Sequence, residues 1–384
     1  LEIFNPTAAP VDLDGWFLTD DADNPTKWRI PAVTIPTGGH LLVFASGKDR
    51  TDPGAELHTN FNLSSNGEYL GLVEPDGLGI AAEFAPAFPS QTAGLSYGLV
   101  AGSGTEFRYF DDPSPGLPNA ATGFLGIVGD TRFTMDRGFF ESQFDVEVTS
   151  VTPDATTRYT LDMSEPTLTN GTTVTPGVPI PVTTTTCLRA RAFKTGWLPS
   201  NIDTQTYIFP NDIITQPGNP PGFPSTWGSS TADYDMDPTV IRRYGSRTLK
   251  SALKSLPSVS IVTEMDNLFD DATGIYDNAR QEGILWERPA SMEWIDPNGG
   301  PETQLNCGLR MQGNAARIFD KKPFRLLFKT IYGPSKLEFP MFPESPDAAE
   351  SFDTIILRSN SQGINYGAKT QITDENGRRT LMDM

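Results

Sequence analysis

Histidine and cysteine are nearly missing from this chain of 384 residues, which has two of each. Cys187 and Cys307 lie far apart, so neither a disulfide framework nor zinc-ligand spacing is present. Cys307 falls on the apolar face of an alternating strand and reads as a small core residue. With His40 and His58 alone, histidine-based triads and metal centres are nearly excluded. No run of ~18 apolar residues occurs, so no segment is fit to span a membrane as a helix. Helical periodicity is scarce as well. Basic residues are outnumbered: 29 Lys and Arg against 48 Asp and Glu give a net charge of −19. That argues against nucleic acid as a partner, because phosphate contacts need Lys and Arg spread over a whole face. An acidic surface keeps a protein soluble and attracts cations.

What is abundant is turn chemistry. The chain has 35 Gly and 33 Pro, with 37% hydrophobic residues to build cores. Length allows two or three domains. The expected fold class is mainly β and multidomain: two β-sandwiches followed by an α+β segment. Residues 1–120 show short strands punctuated by turns. Gly39–Ala45 is one such strand, entered through Pro36-Thr-Gly-Gly39. Glu68–Val73 and Leu78–Phe84 flank Glu74-Pro-Asp-Gly77, where Pro presets φ and Gly supplies the positive φ of the turn. Residues 121–136 read as a linker, 137–210 as a second β unit, and 211–238 as a Pro/Gly-rich linker. Residues 239–384 form the third segment. There Asp237-Pro238 reads as an N-cap and first helical residue. Val240, Ile241, Tyr244, Leu249, Leu253 and Leu256 form a helical stripe that Pro257 ends and Gly245 interrupts.

The most informative stretch runs from Cys307 to Lys329. Leu305, Cys307, Leu309 and Met311 share one strand face, with Arg310 and Gln312 on the other. Phe324, Leu326 and Phe328 share a face opposed by Arg325 and Lys329, the period-two pattern of a half-buried sheet. The connecting loop adds Arg317, Lys321 and Lys322. Such cations on a rigid sheet fit a phosphate group; the plainer alternative is pairing with acidic neighbours on a solvated edge.

Three resemblances follow. Leu1-Glu-Ile-Phe-Asn-Pro to Gly15-Trp-Phe-Leu-Thr-Asp20, with Lys27-Trp-Arg29, Ile35-Pro36 and the Leu41–Ala45 strand, resembles a bacterial lamin-tail domain, an immunoglobulin-like sandwich. Its usual first strand should precede Leu1, and both chain ends read as cuts from a longer precursor. Gly138-Phe-Phe-Glu-Ser142, Arg158 to Thr167 and Leu188 to Asn201 resemble the small sandwich at the C-terminus of chitobiases and hexosaminidases. That family usually has Asp-Gly where this chain has Asp162-Met163, which changes one turn. The third segment resembles the N-terminal part of the spore-coat protein H (CotH) kinase family. The resemblance rests on Pro257–Thr263, Asn267–Asp270, Gly274-Ile-Tyr276, Trp286-Glu-Arg-Pro-Ala290, Gly308–Asn314, Lys321-Lys-Pro-Phe-Arg325 and Phe352–Arg358.

The resemblances imply two immunoglobulin-like β-sandwiches followed by a partial α+β, kinase-like domain, and the CotH one implies an atypical secreted kinase that moves phosphate from ATP to Ser or Thr. Lys322 and Arg325 would then sit near nucleotide phosphates, with Arg310 or Arg317 nearby. The family's Arg-Gly-Asn-Ser-Ser-Arg loop appears here as Gln312-Gly-Asn-Ala-Ala-Arg317. Phosphoryl transfer also needs carboxylates for Mg2+ and the acceptor hydroxyl. In the family these lie further along, beyond Met384, so no catalytic residue is expected within the chain. ATP and Mg2+ would belong to the full-length protein.

Two other sites are candidates. Asp20, Asp21 and Asp23, near Asp12, Asp14 and Asn24, offer oxygen ligands for Ca2+, without EF-hand spacing. Asp and Asn also serve turns for conformational reasons alone. Trp16, Trp28, Trp197 and Trp227 suit either core packing or stacking on sugars. The combined expectation is a secreted or cell-surface bacterial protein, structural or adhesive. Its partners would be surface or matrix proteins, further copies of itself, or glycans. The competing class is a CotH-like kinase.

Overall fold

The computed structural model describes residues 1–358 apart from 228–229, 319–321, 344 and 346. The chain is 33% strand and 9% helix, a β-rich multidomain protein. It divides into two compact units, one of residues Leu1–Ile127 with Gly196–Leu198 and one of Val128–Thr195 with Pro199–Met384. Among the described residues no helix is long and apolar enough to cross a membrane.

Unit 1 carries a three-stranded sheet in the order Glu2–Phe4, His40–Phe44, Leu57–His58, and a four-stranded one in the order Trp28–Arg29, Phe17–Thr19, Leu70–Val73, Ile80–Phe84. Leu18 and Trp28 from the second sheet share one buried cluster with Val43 and Leu57 from the first, so the layers close on a common core. The turn after Val73 forms as its residues dictate: Gly77 takes φ 72° and its amide donates to the Glu74 carbonyl at 2.9 Å. Asn5 is buried and fixes the first turn. Its Nδ2 donates to the carbonyls of Ala9 and Ile35, and its Oδ1 accepts from the Thr7 amide.

Unit 2 opens with a sandwich. Its main sheet uses β1 (Gly138–Phe139), β2 (Thr156–Thr160), β3 (Thr172–Thr173), β4 (Thr186–Phe193) and β5 (Asp203–Ile208), ordered β1-β5-β4-β2-β3. Against it lie the pairs Phe144–Val146 with Ile180–Val182 and Thr131–Phe133 with Val148–Ser150. The core gathers Val146, Val148, Ile180, Val182, Leu188, Ala190 and Tyr207. Part of the expected linker 121–136 is thus strand. Thr131 also ties itself to Asp203, whose carboxylate accepts from the Thr131 amide at 2.9 Å.

The expected linker 211–238 carries structure of its own: α1 (Pro210–Thr215) and the short pair Thr226–Trp227 with Ser230–Thr231. Then come α2 (Pro238–Tyr244) and α3 (Ser246–Leu253). Asp237 caps α2 by accepting from the Thr239 amide at 2.7 Å. Gly245, at φ 78°, breaks the stripe into two helices, neither of which buries a residue fully.

The closing sheet is an antiparallel meander of β6 (Ser258–Val262), β7 (Arg288–Ile295), β8 (Thr303–Met311), β9 (Phe324–Leu327) and β10 (Thr354–Leu357). Its buried residues include Cys307, Leu309, Met311, Leu326 and Phe328, the face expected from alternation. Gln304, Asn306, Arg310 and Arg325 share the opposite face by register and period.

Sandwich and meander belong to one unit because polar groups of β5 meet β7. Glu293 on β7 has no exposed surface. Its Oε1 accepts from the Thr206 amide at 2.9 Å and lies 3.3 Å from Arg137 Nε, while its Oε2 accepts from the Thr206 hydroxyl. The Ser260 hydroxyl stands 2.8 Å from that of Thr206, and Asn306 Nδ2 donates to the Ile202 carbonyl at 3.2 Å.

The Asp162-Met163 departure has a conformational cost. Met163 takes φ 69°, the left-handed region that a glycine would occupy freely. Its carbonyl is fixed there by Arg189, whose Nη1 donates at 2.7 Å. Relief of about 1–2 kcal/mol of strain, less the entropy that glycine adds to the unfolded chain, leaves about 0.5–1 kcal/mol. Met163→Gly should therefore raise the melting temperature by roughly 1–3 °C. A drop in a thermal melt would show that the methionine side chain contributes more by packing than its backbone loses.

Candidate functional site

The basic residues of the meander converge on a carboxylate, Glu287. Gly283, at φ 92°, turns the chain into a single 3-10 turn, Ile284–Trp286, and the Glu287 amide closes it on the Ile284 carbonyl. Glu287 is the residue before β7, and the register that pairs Arg288 with Leu309 sets it opposite Arg310, near the end of β8. Space for it comes from Gly308. A Cβ there would stand 2.7 Å from the Tyr332 ring and 2.8 Å from Glu287 Oε1.

The Glu287 side chain is 1% exposed and is enclosed by donors. Arg310 Nε donates to Oε2 at 2.6 Å. Lys329 Nζ lies 2.8 Å from both oxygens, and the Tyr332 hydroxyl donates to Oε1 at 3.0 Å. Burial by itself would push this carboxyl up. The hydrogen bonds from Lys329 and Tyr332 and the charges of Arg310 and Lys329 outweigh it and hold Glu287 below the usual carboxylate range. Tyr332 is pushed up to about 12 by burial and by its bond to Glu287. Burial, with the Glu287 charge, also takes the Cys307 thiol to about 12, so it stays protonated and inert. Cys187, raised to about 11 mainly by burial, is equally unreactive.

Of the four residues expected at a phosphate, the register sets two side by side: Arg310 pairs with Arg325 across β8 and β9. Like charges directly opposite repel, and Glu287 offsets that repulsion on the Arg310 side. Arg325 Nε is buried without a hydrogen bond. Arg317 is turned elsewhere. Its Nη1 donates to the Gln281 carbonyl at 2.9 Å and pairs with Glu282 at 3.3 Å, so it fastens the 279–282 loop. Lys322 lays its ammonium 4.5 Å from the centre of the Tyr276 ring. Lys321 lies outside the described residues. Glu287, Lys329 and Tyr332 were missed as site residues. The available signal was an acidic residue at the mouth of a strand whose neighbour presents Arg310 at the facing position.

In the Asp20, Asp21 and Asp23 loop, the carboxylates of Asp20 and Asp21 have partners within the chain. Asp20 pairs with Lys27 at 2.5 Å. Asp21 Oδ1 accepts from the Asp23 amide, and the Thr19 hydroxyl bonds to the Asp21 and Asn24 carbonyls. Among the described residues no group of three or more His, Cys, Asp or Glu side chains is placed to hold a metal ion. The tryptophans pack: Trp28 is 2% exposed with Nε1 donating to Asp49, Trp16 joins the core of unit 1, and Trp227 sits edge-on to Tyr234 and Tyr276.

The family model of the chitobiase/beta-hexosaminidase C-terminal domain matches residues 135–204. This stretch runs from just before β1 into β5, so the sandwich of unit 2 is similar to that domain. No curated protein and no solved structure matches the chain.

Because Glu287 titrates lower in the folded chain than its ordinary value of 4.5, its ion pairs stabilise the fold above that pH. The contribution is lost as pH falls through the depressed value. Glu287→Ala should cost about 3 kcal/mol, since it strands two cations in a half-buried site. Glu287→Gln should flatten the loss of stability as pH falls below 4.5. Urea melts across that range check both, and an unchanged slope in Glu287→Gln would contradict the assignment.

Proposed function

We propose that this chain is a structural and adhesive part of a secreted or cell-surface bacterial protein. In this reading residues 1–120 are a lamin-tail-like sandwich, 137–210 a chitobiase C-terminal-like sandwich, and 239–384 the N-terminal part of a CotH-like domain. The observation that carries it is the capture of Arg310 and Lys329 by Glu287. Cations already bonded to a buried carboxylate serve to fix β7, β8 and the segment after β9 to one another. The polar seam at Glu293 has the same consequence for the sandwich and the meander. Together they make a rigid carrier suited to display. The match of residues 135–204 favours carbohydrate association as one adhesive role.

A second reading rests on Arg325, whose Nε is buried and lacks a hydrogen-bond partner, and on Lys322 three residues before it. These would serve a CotH-like kinase that phosphorylates Ser or Thr of surface proteins.

Thermal melts separate the two. The structural reading expects any effect of ATP with Mg2+ on the melting temperature to be the same in Lys322→Ala as in wild type. A rise that Lys322→Ala removes would overturn it in favour of nucleotide binding. A glycan array probed with the whole chain tests the carbohydrate role, and no retained glycan would leave proteins or further copies as the partners.

A further inference from the structure

A second cationic site lies away from the Glu287 cluster, on α3. Between Asp237 and Glu264 the chain has five Arg and Lys residues and no acidic one, although acids dominate the chain as a whole. Arg247, Lys250 and Lys254 follow one another at i, i+3 and i+7, so the helix projects them from one face. Like charges three and four residues apart disfavour a helix. α3 packs near α1, and in the cationic row Arg247 is exposed while Lys250 and Lys254 are half-buried.

The row borders a cleft of about 320 Å³, lined by Glu141, Ser246, Arg247, Lys250, Ser251 and Lys254. Glu141 comes from the sandwich, just after β1, and closes the cleft from the other side. Its carboxylate is taken by Lys254 at 2.5 Å. Neither Arg247 nor Lys250 makes an ion pair among the described residues. The cleft therefore offers a guanidinium fork, an uncommitted ammonium and two serine hydroxyls, with one acid already neutralised. Its volume is at the small end of ligand sites. That suits a compact oxyanion on a small carrier.

We propose that this cleft binds a phosphate or sulfate ester group. Arg247 takes two of its oxygens through the planar fork, Lys250 supplies a point charge, and Ser246 donates from the helix face. Ser251, whose hydroxyl donates to the Arg247 carbonyl at 3.2 Å, turns to the ligand only by giving up that bond. Lys254 joins when Glu141 releases it. A dianionic tetrahedral group fits this set better than a carboxylate, which has too few oxygens to engage three cations and two hydroxyls.

The test uses the full chain at constant ionic strength, set with chloride, and titrates inorganic phosphate, inorganic sulfate, phosphoserine and glucose 6-sulfate. Binding is read by calorimetry and by amide shifts of residues 246–254. The expected result is saturable binding of phosphate or sulfate, weakened at least tenfold in the double variant Arg247→Ala, Lys250→Ala. Glu141→Gln, which frees Lys254 without removing a cation, should tighten binding about threefold. That variant decides the matter if the double variant fails to fold. Tighter binding of phosphoserine or glucose 6-sulfate than of its inorganic ion supports an ester ligand and says which one. No gain over the inorganic ions overturns the ester assignment. Equal binding by wild type and both variants, or shifts reproduced by chloride, overturns the site.

Discussion

Glu293 carries a carboxylate with no exposed surface, and the arrangement of unit 2 depends on satisfying it. Removing such a group from water is expensive, so its oxygens must be bonded. The donors come from another part of the chain: the Thr206 amide and hydroxyl on β5, and Arg137 just before β1. Sandwich and meander can each form their own hydrogen-bond ladders. What they cannot do separately is satisfy Glu293. A pairing that left Thr206 or Arg137 elsewhere would strand a buried charge, which selects one way of packing β5 on β7.

A second carboxylate stands at the other end of the same strand, and its balance is opposite. Glu287 is surrounded by enough positive charge to overcome its burial and stays ionised. At Glu293 burial dominates, and the bonds from Thr206 and the charge of Arg137 only partly offset it, so its carboxyl titrates above its ordinary value. In acid the two pull apart. Falling pH removes the stabilisation from Glu287, while it relieves the penalty on Glu293 between its raised folded value and 4.5. One strand thus carries an ion-pair clamp that favours neutral pH and a seam that tolerates protonation.

Much of the fold is legible in the residues. Alternation at Leu305, Cys307, Leu309 and Met311 identifies the buried face of β8, and Glu74-Pro-Asp-Gly77 identifies a turn by its chemistry. Asp237-Pro238 marks the start of α2 with its cap in place. The failures have a common physical source. Thr131 and its neighbours look like loop by composition, and only pairing with Val148–Ser150 makes them strand. Period-two patterning says which way Arg310 points but not what it meets, because Glu287 lies 23 residues away in sequence. Glu293 offers even less, since a lone acid in Met-Glu-Trp-Ile reads as the solvent face of a strand. Its burial is decided by a partner surface that no local pattern announces.

In the meander, Arg310 and Lys329 are held by the Glu287 carboxylate. Unit 2 behaves as one cooperative body if the Glu293 seam carries the weight assigned to it. Hydrogen exchange by mass spectrometry on the full chain, comparing wild type with Glu293→Ala, measures this directly. The account predicts that peptides covering β5 and β7 open with one free energy in wild type and lose protection together, by about 3–5 kcal/mol, in the variant. Separate opening of β5 and β7 in wild type, or a loss confined to one of them, would contradict it.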